Sequence, residues 1–175
     1  GGEVWKVGAL QAITWSRVGA ITNVKLEYSI NGGVSYPNLI VASTAASAGS
    51  YGWTVPDAIT TTARVRIANL DDLSVFDDSN ANFSIKGSLT LTTPNGGERW
   101  GIATVQSITW TKGGSIATVK LEYSTDGGLT YPNVIAASLD ATLGTPYAWT
   151  IPDIPSATVR VKVTNTGDAT IVDAS

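Results

Sequence analysis

Apolar and polar positions alternate with a period of two along most of this chain. Val24, Leu26 and Tyr28 alternate with Lys25, Glu27 and Ser29, and Phe83 and Ile85 with Asn82 and Ser84. Tyr147, Trp149 and Ile151 alternate with Ala148 and Thr150, and Val159, Val161 and Val163 with Arg160 and Lys162. A period of two is the pattern of a strand with one buried face. No stretch repeats at helical spacing, and turn dipeptides (Asn-Gly, Asp-Gly, Pro-Asp, Gly-Gly) recur about every 8–12 residues. The pattern predicts an all-β protein of short strands, about seven in each ~95 residues, which is the signature of an immunoglobulin/fibronectin-like β-sandwich.

The same pattern occurs twice. Gly1-Gly2-Glu3 and Trp5 return as Gly96-Gly97-Glu98 and Trp100, Ile13-Thr14-Trp15 as Ile108-Thr109-Trp110, and Tyr36-Pro37-Asn38 as Tyr131-Pro132-Asn133, all at an offset of 95. One inserted residue lengthens the offset to 96, and Trp53-Thr54-Val55-Pro56-Asp57 then matches Trp149-Thr150-Ile151-Pro152-Asp153. All six Trp and all six Tyr fall at equivalent places. Such self-similarity predicts tandem domains. The first is expected at 1–86 without the strand that residues 89–95 (LTLTTPN) give the second. The second is expected at 87–175 without the strand that residues 80–88 (NANFSIKGS) give the first.

There is no Cys, so no disulfide pins the sheets. Trp15, Tyr28 and Trp53, with Trp110, Tyr123 and Trp149, are expected to fill the two cores instead, since each aromatic buries about 150–250 Å². Tyr36 and Tyr131, just past the hairpin, are the expected exposed aromatics and the candidate contacts for a ligand or partner. Trp5 and Trp100 stand beside Gly-Gly near a strand start and fit either role.

The hairpin itself is the first candidate for chemistry. Asn31-Gly32-Gly33 and Asp126-Gly127-Gly128 each lie between alternating strands, where Asn-Gly and Asp-Gly predict a type I′ turn. A calcium loop would need several oxygen ligands close together, whereas Asp126 stands alone and its counterpart is the uncharged Asn31. A phosphate cradle would need a helix and a following Lys-Ser/Thr. The turn reading is preferred. In NLDDLSVFDDSN, Asp71, Asp72, Asp77 and Asp78 are weak candidate calcium ligands; the plainer reading is a solvated turn whose carboxylates cap backbone donors. A pair of these Asp would also be the only candidate for glycoside hydrolysis, but no cleft-forming fold or neutral acid accompanies them. Arg64 and Arg66, like Arg160 and Lys162, are expected on an outward strand face in cross-strand ion pairs, as are Lys25-Glu27 and Lys120-Glu122. Asn82-Phe83-Ser84 matches a glycosylation sequon inside a predicted strand.

Composition narrows the function classes. The chain has no His, which removes the usual general base and zinc ligand, and the missing Cys removes thiolate chemistry. A net charge of -3 with no basic cluster argues against nucleic acid. No apolar run is long enough to span a bilayer as a helix. No catalysis and no cofactor is expected.

The motifs TTPNGGERWGIATVQSITW, VKLEYSTDGGLTY, YAWTIPD and VRVKV resemble the immunoglobulin-like repeat of the Ser-Thr-rich GPI-anchored membrane family, similar to the N-terminal domain of the fungal Kre/Knh proteins. The resemblance covers the whole chain twice, with Asn31 standing where the hairpin motif has Asp. It implies a non-catalytic spacer module, extracellular or at the cell surface, within a larger surface, S-layer-like or filament protein. Its partners would be neighbouring repeats or like subunits. The alternative is a carbohydrate-binding or adhesion module accessory to a secreted enzyme, taking cell-wall polysaccharide through Tyr36 and Tyr131. Where strands are missing, a neighbouring chain is expected to be able to add one.

Overall fold

The structure is a computed structural model that describes residues 1–143 and 145–175. The chain divides into two compact units, Gly1–Lys86 and Gly87–Ser175. The first contains β1 (Val4–Lys6), β2 (Leu10–Thr14), β3 (Asn23–Ser29), β4 (Asn38–Ala45), β5 (Ser50–Thr54), β6 (Thr60–Asn69), β7 (Phe76–Asp78) and β8 (Phe83–Lys86). The second contains β9 (Ser88–Thr93), β10 (Val105–Gly113), β11 (Thr118–Ser124), β12 (Asn133–Asp140), β13 (Tyr147–Thr150), β14 (Arg160–Asn165) and β15 (Val172–Ala174). A single 3-10 turn, Ala46–Ala48, is the only helical element among the described residues. No helix among them is long and apolar enough to cross a membrane.

Each unit is a two-sheet sandwich. In the second, β13-β10-β9 faces β12-β11-β14-β15. In the first, β2-β5 faces β1-β8-β6-β3-β4, with β7 on the edge of β6. The strands follow the alternation: β3 buries Val24 and Leu26 and turns Lys25 and Glu27 outward, and β11 buries Val119 and Leu121 and turns Lys120 outward, whereas Glu122, expected on the outward face, is 8% exposed and paired with Lys120 and Lys162. Register irregularities recur at the same places, between Val24 and Leu26 and between Val119 and Leu121. Duplicated sequence therefore gives duplicated pairing down to the bulge, which is a positional feature and not a defect.

The core of the second unit gathers Leu89, Leu91, Ile108, Trp110, Ile116, Val119, Leu121, Tyr123, Trp149, Val161 and Val163. That of the first gathers Trp53, Val55, Ala63, Val65, Phe83 and Ile85, with Trp5, Val7, Ile13 and Tyr28 packed against it. The expected set of core aromatics is met by Trp53, Trp110, Tyr123 and Trp149 but not fully by Trp15 and Tyr28, which are half-buried. The reason for Trp15 is local. Its counterpart Trp110 is covered by β9, with Leu91 directly opposite it, and is 3% exposed. No strand among the described residues lies on that edge of β2. Both indoles nevertheless make the same bond, Trp15 Nε1 donating to the Ala46 carbonyl and Trp110 Nε1 to that of Ala141, each at 3.0 Å.

Candidate functional site

The two hairpin loops are built around a buried serine. Ser29 Oγ accepts the amides of Asn31 (3.1 Å) and Gly33 (3.0 Å) and donates to Asn31 Oδ1 (2.7 Å). Ser124 Oγ accepts the amides of Asp126 (3.1 Å) and Gly128 (2.9 Å) and donates to Asp126 Oδ1 (2.5 Å). Both hydroxyls are fully buried. The loop is closed from the other side by Asn31 Oδ1 accepting from the Ser35 amide, and by both Asp126 oxygens accepting from Thr130. The strands end at Ser29 and Ser124 and resume at Asn38 and Asn133, so the connection is longer than the two-residue type I′ turn the dipeptide predicts. Positive φ falls on the glycines (75° and 88° at Gly32 and Gly33, 78° and 93° at Gly127 and Gly128), while Asn31 and Asp126 act as caps. The Ser124 hydroxyl, then the Thr130 hydroxyl and amide, hold the Asp126 carboxyl far below the usual carboxylate range. Its oxygens are spent within the loop. Ser29 and Ser124 had no signal in the sequence beyond their identity in both copies.

Tyr36 and Tyr131 were expected to be exposed and are instead half-buried. Arg66 lies between two rings, with its guanidinium carbon 4.1 Å from the centroid of Tyr36 and 4.1 Å from that of Phe76. The same guanidinium is bidentate to Asp78, at 2.7 and 2.9 Å. That pairing draws the Asp78 carboxyl below its ordinary range. Lys162 caps Tyr131 at 4.3 Å. Burial raises the pKa of both tyrosine hydroxyls, and the charge of Asp78 adds to this at Tyr36. The sequence placed the cations on an outward face; what it missed is that they cover the tyrosines.

The acidic run is dispersed. Asp78 belongs to Arg66, Asp72 Oδ1 accepts the amide (3.0 Å) and hydroxyl (2.6 Å) of Ser74, and Asp77 lies opposite Ile67 in the β6–β7 ladder. Asp71 donates its amide to Asn69 Oδ1 at 3.1 Å. Among the described residues no group of three or more acidic side chains is placed to hold a metal ion. Lys25 pairs with Glu27 at 3.0 Å, and Glu122 takes both Lys120 (2.6 Å) and Lys162 (3.0 Å). Burial pushes the Glu122 carboxyl up, but the two ammonium groups outweigh it and leave it below its ordinary range. The sequon lies in structured chain: Phe83 is 3% exposed and Asn82 Oδ1 accepts from Arg64 Nε at 2.8 Å.

Among the described residues, a shallow concave feature lies in the second unit. A groove of about 980 Å³ runs between residues 96–102 and residues 154–160, with Tyr123, Trp149 and Val161 in its wall and Ser175 beside it. Val159 and Ile154 in this groove are 41% and 44% exposed.

No family model matches the chain, and no curated protein matches it either. Among solved structures, the chain is similar to the fibronectin(III)-like modules of Clostridium thermocellum CbhA, at 20% identity over 99% of this chain and 86% of that one, with a TM-score of 0.29. The sandwich assignment rests on the strand order and pairing described above: two units, each an all-β immunoglobulin/fibronectin-like module.

Proposed function

We propose that this chain is a non-catalytic structural module, a spacer within a larger extracellular or surface polypeptide built of like repeats. One observation carries the reading: the loops holding the candidate chemistry are closed on themselves in the same way in both copies. Ser29 and Ser124 bind the loop amides, and the Asn31 and Asp126 oxygens are used inside the loop. Groups committed to holding a turn are not free to bind or to transfer protons. Most of the aromatics support the same reading, because Trp53, Trp110, Tyr123 and Trp149 are spent on the cores and Tyr36 and Tyr131 lie under cations. Placement outside the cell is supported by the motif resemblance alone.

Force–extension measurement on the tethered chain tests this. Two separate unfolding events are expected, each releasing about 300 Å of chain at ~3.5 Å per residue. A featureless extension would overturn the mechanical reading. Saturable binding of a polysaccharide that is lost in Tyr131→Ala would replace it with the carbohydrate-binding one.

A further inference from the structure

The chain contains two Asn-Gly steps, Asn31-Gly32 and Asn95-Gly96, each followed by a second glycine. Such a step can react with itself. The glycine nitrogen attacks the Asn Cγ, and a glycine has no Cβ to hinder the approach. Both Asn are exposed, and a Cβ at Gly32 or Gly96 would meet nothing within 4 Å. Access and space therefore do not separate the two sites. Hydrogen bonding does.

Asn31 is pinned at every reacting atom. Its Oδ1 accepts from the Ser29 hydroxyl and the Ser35 amide, and its Nδ2 donates to Ser35 Oγ at 2.9 Å. The attacking nitrogen is held as well, since Gly32 N–H donates to the Thr62 carbonyl of β6 at 2.9 Å. A carbonyl can hold that proton but cannot take it. The second copy keeps the bond, from Gly127 N–H to the Thr158 carbonyl at 3.1 Å. At Asn95 the arrangement is reversed. Among the described residues its carboxamide has no hydrogen-bond partner, so the side chain can turn towards Gly96. Gly96 N–H donates to Glu98 Oε2 at 2.8 Å, and Asn95 N–H to Glu98 Oε1 at 2.7 Å. The proton that must leave Gly96 before attack thus rests on a carboxylate, which can accept it.

We propose that Asn95-Gly96 is a site of spontaneous deamidation in the folded protein, with Glu98 as the base, and that the fold withholds Asn31 from the same reaction. Gly96 N bonds to Asn95 Cγ as Glu98 Oε2 takes the amide proton. The Cγ–Nδ2 bond breaks, and Nδ2 leaves as ammonia with that proton. Water then opens the succinimide ring. Cleavage of the new N–Cγ bond leaves Asp, and cleavage of the original peptide bond leaves isoaspartate, whose backbone is one carbon longer. Either product adds a negative charge beside Glu98, in the connection between β9 and β10. The inference goes beyond the spacer reading and is independent of it, so failure of one leaves the other standing.

The test is incubation of the folded chain in mildly alkaline water enriched in heavy oxygen, followed by peptide mapping with mass spectrometry. Each turnover marks the product with one heavy oxygen, and isoaspartate is separated from Asp by its elution. Asn95 is expected to convert at least tenfold faster than Asn31, giving both products. In denaturing urea the two sites should convert at similar rates, because the bonds that hold Asn31 are gone. Glu98→Gln should slow Asn95 several-fold in the folded chain while Asn31 stays intact. Asn31 in the same digest reports whether that variant has kept its fold. Conversion of Asn95 no faster than Asn31 in the folded chain would overturn the proposal. So would an Asn95 rate unchanged by Glu98→Gln, or a gap between the sites that persists in urea.

Discussion

Asp126 and Asn31 hold one loop position with and without a charge, so nature supplies the control for a charge test. Both accept from the serine two residues before them, and from the amide four residues after. Charge-assisted bonds are about twice as strong as neutral ones, so Asp126→Asn should cost a little at neutral pH and leave the loop intact. The Asp126 pKa is depressed in the folded state, so its stabilisation is whole above the unfolded value of about 4 and declines as pH falls further. Denaturant midpoints at pH 6 and pH 2 should therefore show the gap between parent and Asp126→Asn closing on acidification; a gap that widens would refute the assignment. Arg66 provides a second residue-scale test. Its fork to Asp78 and its two ring contacts make Arg66→Ala destabilising by about 1.5–3 kcal/mol. Arg66→Lys should recover only part of that in urea unfolding, because an ammonium cannot reproduce the planar bidentate pairing.

At the scale of elements, an equivalent strand behaves differently according to what lies beside it. β10 pairs on both edges, with β9 and β13, whereas β2 pairs only with β5. The extra strand buries Ile108 completely and Trp110 almost so, while Ile13 and Trp15 stay half-buried. Trp110→Ala is expected to cost its unit about 3–5 kcal/mol, the range for emptying a buried aromatic site. Trp15→Ala should cost clearly less, because much of its surface is already in water. Chemical denaturation of both variants checks the order. Alternation identified these segments as strands, and the duplicated hairpins identified β3–β4 and β11–β12 as pairs. The parallel contact of β1 with β8 had no signature in the sequence, since it joins segments about 80 residues apart.

For the whole molecule, near-identical halves are expected to differ in stability. The second unit has the more extensive buried cluster, including β9, and the first has its Trp15 edge open. Stability within a protein follows such differences in local burial. Hydrogen exchange should find the amides of β10, β11 and β14 outlasting those of β2 and β5, with the reverse order counting against the argument.

The sequence by itself determined the all-β class, the duplication and its offset, and the inward positions of Trp53, Trp110, Tyr123 and Trp149. It could do so because period-two burial and turn chemistry are local properties of the chain. Only the tertiary structure decided that Tyr36 and Tyr131 lie beneath cations, that Ser29 and Ser124 close the loops, and that Asp78 is taken by Arg66. It alone showed that β8 lies between β1 and β6, parallel to one and antiparallel to the other. Each of these is set by strands that meet across the fold, and a contact between distant segments leaves no periodic trace in the residues that make it.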